Sequence, residues 1–191
     1  GDAQVLQTSG NVIIKGGTFS CESGNCIFVT GSNASLSITG SEVRVENTGG
    51  YGLCIGNASS SVQLSAGTYS GEAGAIFING NNSFTLGDLL GHTDTTRYAY
   101  FDSTGTTPFT GRLEGKSLAE TVKVQECEHT GVGVCEYTHA TGTTTHQQTC
   151  LACGDTKTSE NCSFDENGKC PCGAVLAVTL PDNLNLTYTG T

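Results

Sequence analysis

The chain has 191 residues, which is enough for one or two domains. Its 18 acidic and 8 basic residues give a net charge of −10, which argues against a nucleic-acid or anionic-membrane partner. Glycine is abundant, proline is scarce, and no apolar run approaches the roughly 20 residues of a membrane-spanning helix. Because methionine is absent and a full reading frame begins with it, we expect a processed chain or an excised fragment.

Residues 1–118 contain an internal repeat of short stretches in which apolar and polar residues alternate. The phrase Val12-Ile-Ile-Lys-Gly-Gly-Thr-Phe19 returns as Val62-Gln-Leu-Ser-Ala-Gly-Thr-Tyr69, with a diverged copy between them at Leu36–Val45. A weaker fourth copy is predicted at Phe84–Leu86 and Tyr98–Phe101. Alternation with period two indicates strands, and a repeat of 22 to 26 residues is typical of a solenoid.

One such unit cannot bury its apolar face alone, so we predict that the copies stack as a parallel β-solenoid of three to four coils. Two inner columns are expected: Ile14, Ile38, Leu64 and Leu86 in one, and Ile27, Ile55 and Phe77 in the other. An antiparallel sandwich is the alternative, although it would not require a repeat of this length.

The phrases Gly16-Gly-Thr-Phe19 and Ala75-Ile-Phe-Ile78 resemble the right-handed parallel β-helix segments of large secreted or cell-wall proteins from Gram-positive anaerobes. The resemblance implies a right-handed β-helix in an extracellular, cell-wall or secreted location. Some β-helices cleave polysaccharides with clustered carboxylates, but the acidic residues here are scattered. We therefore expect no enzyme, and we expect the Asp94–Arg97 stretch to be an exposed loop.

Three cysteines lie in this first segment, at Cys21, Cys26 and Cys54. Because Cys26 and Cys54 align with apolar positions of the repeat, we expect buried thiols that pack as small hydrophobic groups. A disulfide between Cys21 and Cys26 is the alternative.

The composition changes near residue 118, and residues 119–174 are predicted to form a Cys/His metal-binding module. Cys150-Leu-Ala-Cys153-Gly and Cys170-Pro-Cys172-Gly have the spacing of a zinc ribbon, in which two knuckles bring four thiolates to one ion. We expect structural zinc, as one or two ions, because thiolate and imidazole are ligands that zinc prefers. The ten candidate ligands are Cys150, Cys153, Cys170, Cys172, His146, Cys162, Cys135, Cys127, His129 and His139.

The phrases Thr145-His146, Cys150-x2-Cys153-Gly, Cys162-Ser-Phe164 and Gly168-Lys-Cys170 resemble a Cys/His repeat of surface proteins from gut Firmicutes. The last knuckle departs from that repeat, because one residue rather than two separates Cys170 from Cys172. A disulfide framework is the alternative for an exported chain, although seven cysteines cannot all pair within the module.

Residues 175–191 end in Leu-Thr-Tyr-Thr-Gly-Thr, which resembles the first strand of small Ig-like repeats in bacterial surface proteins. We interpret this segment as a linker or as the start of a truncated β domain.

Together these patterns predict a non-catalytic structural or adhesion segment of a modular bacterial surface or secreted protein. Expected partners are a host glycoprotein, a glycan or neighbouring domains of the same chain, with neither nucleic acid nor membrane insertion. The alternative is an accessory carbohydrate-binding domain, or another flanking domain, of a large surface enzyme. A carbohydrate-binding domain would bind polysaccharide through exposed aromatic rings, such as those of Tyr51, Tyr69, Tyr98, Tyr100 and Phe101.

Overall fold

The computed structural model describes residues 4–56, 61–129, 134–139 and 145–176. The fold is all-β, as predicted: regular structure in these ranges consists of strands and one short 3-10 turn. No helix in the described ranges is long and apolar enough to cross a membrane.

The first ten strands follow one another with short turns. They are β1 (Leu6–Thr8), β2 (Asn11–Ile14), β3 (Thr18–Cys21), β4 (Gly24–Val29), β5 (Ser35–Ile38), β6 (Arg44–Asn47), β7 (Gly50–Ile55), β8 (Ser61–Leu64), β9 (Gly67–Gly71) and β10 (Gly74–Ile78). The 3-10 turn Gly87–Leu89 comes next. The remaining strands are β11 (Tyr98–Phe101), β12 (Ser117–Leu118), β13 (Val122–Glu126), β14 (Cys135–His139), β15 (Thr145–Cys150) and β16 (Thr156–Asn161).

Strands β2 to β10 distribute themselves over three sheets so that every third strand joins the same sheet. One sheet contains β2-β5-β8, a second contains β3-β6-β9, and a third contains β4-β7-β10 with β1 beside β4. All of these pairings are parallel, and in the first sheet Ile14 lies beside Ile38 and Ile38 beside Leu64. Parallel neighbours need a long connection between them, and here the two intervening strands provide it.

The pairing confirms one predicted column in part and corrects the other. The next residue beside Leu64 is Leu90 rather than Leu86, although Leu86 is also fully buried. In the third sheet Ile27 aligns with Leu53 and not with Ile55, and Phe77 aligns with Cys54. Several apolar residues in each strand satisfy the same alternation, so the pattern alone did not determine which of them are neighbours.

The inner faces of the three sheets share one hydrophobic core that extends to the later strands. Its fully buried members include Ile38, Leu64, Ile76 and Tyr69. The thiols of Cys21, Cys26 and Cys54 are buried, as expected from the repeat. Arg44 and Glu46 are exposed on the outer side of β6, and Glu42, in the turn before this strand, is also exposed.

The predicted fourth copy is not a further parallel copy. Tyr98–Phe101 is a strand, but β11 pairs antiparallel with β13, and β13 pairs antiparallel with β9. Strand β12 likewise pairs antiparallel with β10. These later strands cover the last parallel strands of two sheets, so the peptide groups at those edges are paired.

The chain separates into two compact units. Unit 1 contains Gly1–Glu136 and Thr149–Thr156, and unit 2 contains Tyr137–Gln148 and Lys157–Thr191. The composition change at residue 118 does not coincide with this division, and a separate module over residues 119–174 stays a prediction. Strands β14-β15-β16 form a three-stranded sheet in that order. Of the predicted tail, residues 177–191 lie outside the described residues.

Candidate metal centres

Eight of the ten candidate ligands gather into two groups of four, each with three cysteines and one histidine. We refer to Cys127, His129, Cys150 and Cys153 as the Cys127 cluster, and to His146, Cys162, Cys170 and Cys172 as the Cys170 cluster. Within each group the candidate ligand atoms lie within 4.8 Å of one another. The first cluster belongs to unit 1 and the second to unit 2.

The two halves of the Cys127 cluster come from different parts of the sequence. Cys127 directly follows strand β13, and His129 lies two residues later with a positive φ of 55°. Cys150 ends β15, and Cys153 lies in the turn that follows it. That turn closes with a hydrogen bond from the Gly154 N–H to the Cys150 carbonyl at 2.8 Å.

The Cys127 cluster lies in a small hydrophobic core of its own. Ala99, Phe101, Val134 and Ala152 are buried around Cys127 and Cys150. A cation bound there would be partly shielded from water, because Cys127 and Cys150 are only 5% and 2% exposed.

The Cys170 cluster is built from strand β15, the start of the segment after β16, and a tight turn. His146 lies in β15, and Cys162 directly follows β16. The Cys170 N–H donates to the Ala174 carbonyl and the Gly173 N–H donates to the Cys170 carbonyl, both at 2.9 Å.

The glycine after each knuckle has a backbone conformation that other residues rarely adopt. The φ angle is 76° at Gly154 and 87° at Gly173. Both values fall in the left-handed region, where glycine has no steric penalty. These turns allow N–H groups to donate to sulfur: Ala152 and Cys153 donate to Cys150, and Cys172 donates to Cys170.

The separations between ligand atoms fit a tetrahedral ion better than a disulfide. The Sγ atoms of Cys127 and Cys150 are 3.7 Å apart, and those of Cys162 and Cys172 are 3.6 Å apart. Zn–S bonds of about 2.3 Å in a tetrahedron place two sulfurs about 3.8 Å apart. A disulfide requires about 2.05 Å.

The distances from sulfur to imidazole support the same geometry. The Sγ of Cys153 lies 3.8 Å from Nδ1 of His129, and the Sγ of Cys170 lies 3.4 Å from Nδ1 of His146. A tetrahedral zinc with one sulfur and one nitrogen ligand separates those two atoms by about 3.6 Å. Each cluster therefore has the atom types and spacing to hold a metal ion.

Hydrogen bonds within the Cys127 cluster shift the pKa values of its thiols in opposite directions. A hydrogen bond from the Cys153 thiol, with others from the His129 N–H and the Cys150 thiol, lowers the pKa of Cys127 to about 5 despite burial. The pKa of Cys153 is raised, first because its thiol donates to Cys127 and then because it is buried. Without metal, one thiolate is thus held by protonated neighbours, and a bound cation would replace their protons.

The Cys170 cluster shows the same division between its thiols. Burial, followed by a hydrogen bond with Cys172, raises the pKa of Cys162 to about 12. Burial opposes ionisation of Cys170 too, but hydrogen bonds from the N–H and thiol of Cys172 lower its pKa to about 7. A metal ion binding at neutral pH would therefore release protons from this cluster as well.

The grouping differs from a zinc ribbon. Cys150 and Cys153 belong to one cluster, and Cys170 and Cys172 belong to the other. The two ligand sets alternate along the chain, because His146 of the Cys170 cluster precedes Cys150. Spacing between neighbouring ligands cannot reveal such an alternation, because the alternation depends on which strands lie side by side in the folded chain.

The other two candidates are placed differently. The thiol of Cys135 donates to the carbonyl of His129 at 3.5 Å, so it contacts the backbone of a candidate ligand. His139 ends strand β14, and its side chain lies outside the described residues.

Sequence reasoning missed an ion pair beside the Cys127 cluster. Nε of Arg97 donates to Oδ1 of Asp155 at 2.9 Å. The stretch Asp94–Arg97 was expected to be an exposed loop. Asp94 is exposed, whereas Arg97 is half-buried and bound to Asp155, directly after the Cys150–Gly154 knuckle. The two residues are 58 positions apart in the sequence, so no local pattern could indicate that they pair.

Comparison of the chain with protein-family models, with curated proteins and with solved structures finds no significant match.

Proposed function

We propose that this chain is a non-catalytic structural segment of a modular bacterial cell-surface or secreted protein, with structural zinc in both clusters. The observation that carries the proposal is the closed donor set: each cluster offers three sulfurs and one nitrogen within 4.8 Å of one another. Four protein ligands complete a tetrahedral zinc, whereas catalytic zinc sites use three and leave one position for water.

The parallel pairing supports a rigid β-helix as the body of this segment. Residues of neighbouring strands in register are 24 and 26 residues apart in the first sheet, and successive strands pass through three sheets in a fixed order. We infer that these sheets are the three faces of a right-handed parallel β-helix. Such a body suits a spacer or display platform, because each coil is held by its neighbours over its whole length.

The aromatic side chains give more support to the spacer than to the carbohydrate-binding alternative. Tyr69 and Tyr100 are fully buried, and their hydroxyls donate to the carbonyls of Ala66 and Leu86. Tyr51 packs face to face on Phe77, with ring centroids 4.6 Å apart. Three of the five rings proposed for glycan stacking are therefore buried, since Phe101 is only 8% exposed.

Elemental mass spectrometry of the purified 191-residue chain tests the zinc sites, alongside a free-thiol count before and after chelation. We expect about two zinc ions per chain, with the six clustered thiols becoming reactive once zinc is removed. Replacing Cys150 and Cys153 with Ser should remove one ion, and replacing Cys170 and Cys172 with Ser should remove the other.

A matched control replaces Cys21 and Cys54 with Ser, because neither thiol belongs to a cluster. This variant should retain both ions. Absence of zinc together with few free thiols would contradict the proposal and favour a disulfide framework.

A further inference from the structure

The two halves of the Cys127 cluster come from distant parts of the chain, with strand β14 between them. Cys127 and His129 follow strand β13, whereas Cys150 and Cys153 belong to a turn more than 20 residues later. Zinc itself would join the halves, but its affinity depends on how well they are placed before it binds. Groups that orient the ligands from outside the metal's own shell supply that placement.

Arg97 is hydrogen-bonded to one half directly and to the other half through Asp155. Its backbone carbonyl accepts a hydrogen bond from the Cys127 N–H at 2.8 Å, which continues the antiparallel ladder between β11 and β13. Its guanidinium donates through Nε to Oδ1 of Asp155 at 2.9 Å. The backbone carbonyl of Asp155 in turn accepts from the Cys150 N–H at 2.8 Å.

These bonds connect the backbone of Cys127 to the backbone of Cys150 through Arg97 and Asp155. A further bond from Nη1 of Arg97 to the Thr93 carbonyl holds the guanidinium from the other side. The guanidinium is therefore held by two partners, Asp155 and its own loop.

The environment of this ion pair distinguishes it from another one in the same unit. The side chains of Arg97 and Asp155 are 32% and 29% exposed, whereas those of Arg112 and Glu120 are 50% and 47% exposed. Solvent screens the more exposed pair more strongly, so it contributes little. Among the contacts of the described residues, the side chains of Arg112 and Glu120 make no hydrogen bond to a cluster residue, so this pair provides a matched control.

We propose that Arg97 is a positioning residue for the Cys127 cluster: by holding Asp155, it places the Cys150 and Cys153 knuckle opposite Cys127 and His129. The inference rests on the proposed function, because it takes metal binding at this cluster as given. It assigns a role to a side chain that carries no ligand atom and that lies 30 residues before the first ligand.

The test measures zinc release from the full chain to a chromogenic chelator, for the wild type and for Arg97→Met and Arg112→Met. Methionine keeps an unbranched apolar stem but cannot bind Asp155. We expect Arg97→Met to release one of its two ions about 10-fold to 100-fold faster than the wild type, the usual effect of removing an outer-shell partner. The second ion, in the Cys170 cluster, should leave at the wild-type rate, and Arg112→Met should leave both rates unchanged.

Two further measurements separate positioning from general destabilisation. When cobalt(II) replaces zinc, its visible absorption bands report the geometry of the ligands. In Arg97→Met, the bands of one of the two sites should differ from those of the wild type. The charge-swapped double variant Arg97→Asp with Asp155→Arg should restore much of the slow release.

The possible outcomes are distinguishable. Wild-type release rates for both ions in Arg97→Met, or equal acceleration of both, would overturn the positioning role and leave the zinc proposal standing. A wild-type chain that binds no metal would instead overturn the proposed function on which this inference depends.

Discussion

At the scale of single residues, close backbone approaches limit which side chains the parallel strands can accept. Gly50 begins β7 beside Gly24 of β4, and a Cβ at Gly50 would lie 1.8 Å from the Gly24 carbonyl oxygen. The side-chain amide of Asn47 spans the same corner, donating to the carbonyls of Gly24 and Tyr51 at 3.0 and 2.8 Å. The Gly24 backbone and the hydrogen-bonded Asn47 amide leave this corner little freedom to adjust.

We therefore expect Gly50→Ala to destabilise the chain. The added methyl would force two paired strands apart, and the expected loss is about 1–3 kcal/mol in the free energy of unfolding. Urea denaturation of the zinc-loaded protein measures this loss. Gly80→Ala is the control, because a Cβ there meets nothing within 4 Å. Equal stability of the two variants would show that the β7 corner is looser than described.

A second residue-scale prediction concerns alkaline pH. Burial raises the pKa of the Cys54 thiol to about 11, above the ordinary value of about 9. Between these values the unfolded chain ionises first, so the contribution of Cys54 is complete below pH 9 and is lost as the pH rises through 11. We expect the unfolding free energy of wild type to fall more steeply from pH 9 to 11 than that of Cys54→Ala. Identical slopes in urea titrations would contradict the assignment.

At the scale of elements, the sequence allows the strands to be predicted better than their neighbours. Alternation and the repeated phrases around Phe19 and Tyr69 predicted strands that indeed align, through Val45 between them. The same information failed at Leu86, because Leu90 is equally apolar and only the 3-10 turn at Gly87–Leu89 decides which one lies beside Leu64. Local pattern fixes the face of a strand, whereas register depends on the turns between strands.

The metal clusters show the same limit. All eight clustered residues were candidates from residue type alone, and whether they bind zinc stays a prediction. Their division into two sets could not be predicted, since it requires β15 to supply His146 to one cluster and Cys150 to the other. Arg97 and Asp155 gave no signal at all, because an ion pair between distant residues exists only in the folded chain.

The parallel pairing itself can be tested with an engineered crosslink. Ser37 of β5 and Gln63 of β8 are in register on the outer side of the first sheet. Cα atoms of paired strands are close enough for a disulfide, so Ser37→Cys with Gln63→Cys should crosslink under mild oxidation. Peptide mapping by mass spectrometry identifies the linkage.

The control places the second cysteine two residues away, as Ser37→Cys with Ser61→Cys. Ser61 is in register with Ser35, so its Cα should lie about 8 Å from that of Ser37, beyond disulfide reach. Efficient crosslinking in the control but not in the register pair would contradict the observed register.

At the scale of the whole molecule, the two units depend on different sources of stability. Unit 1 contains the large apolar core shared by the three sheets. In unit 2, by contrast, the buried residues among those described are His146 and Cys170, and both are candidate ligands. With so little apolar surface to bury, unit 2 would draw much of its folding free energy from the bound ion.

Chelation should therefore unfold unit 2 selectively. In the presence of a strong chelator, we expect trypsin to cleave first after Lys157 and Lys169, which are exposed side chains of unit 2. Arg44 should remain protected, because β6 is paired on both sides within the second sheet. Mass spectrometry of a digestion time course, with zinc-loaded protein as the control, distinguishes the sites. Protection of Lys157 and Lys169 without metal would show that unit 2 folds without an ion, and simultaneous cleavage at Arg44 would show that the parallel sheets also depend on one.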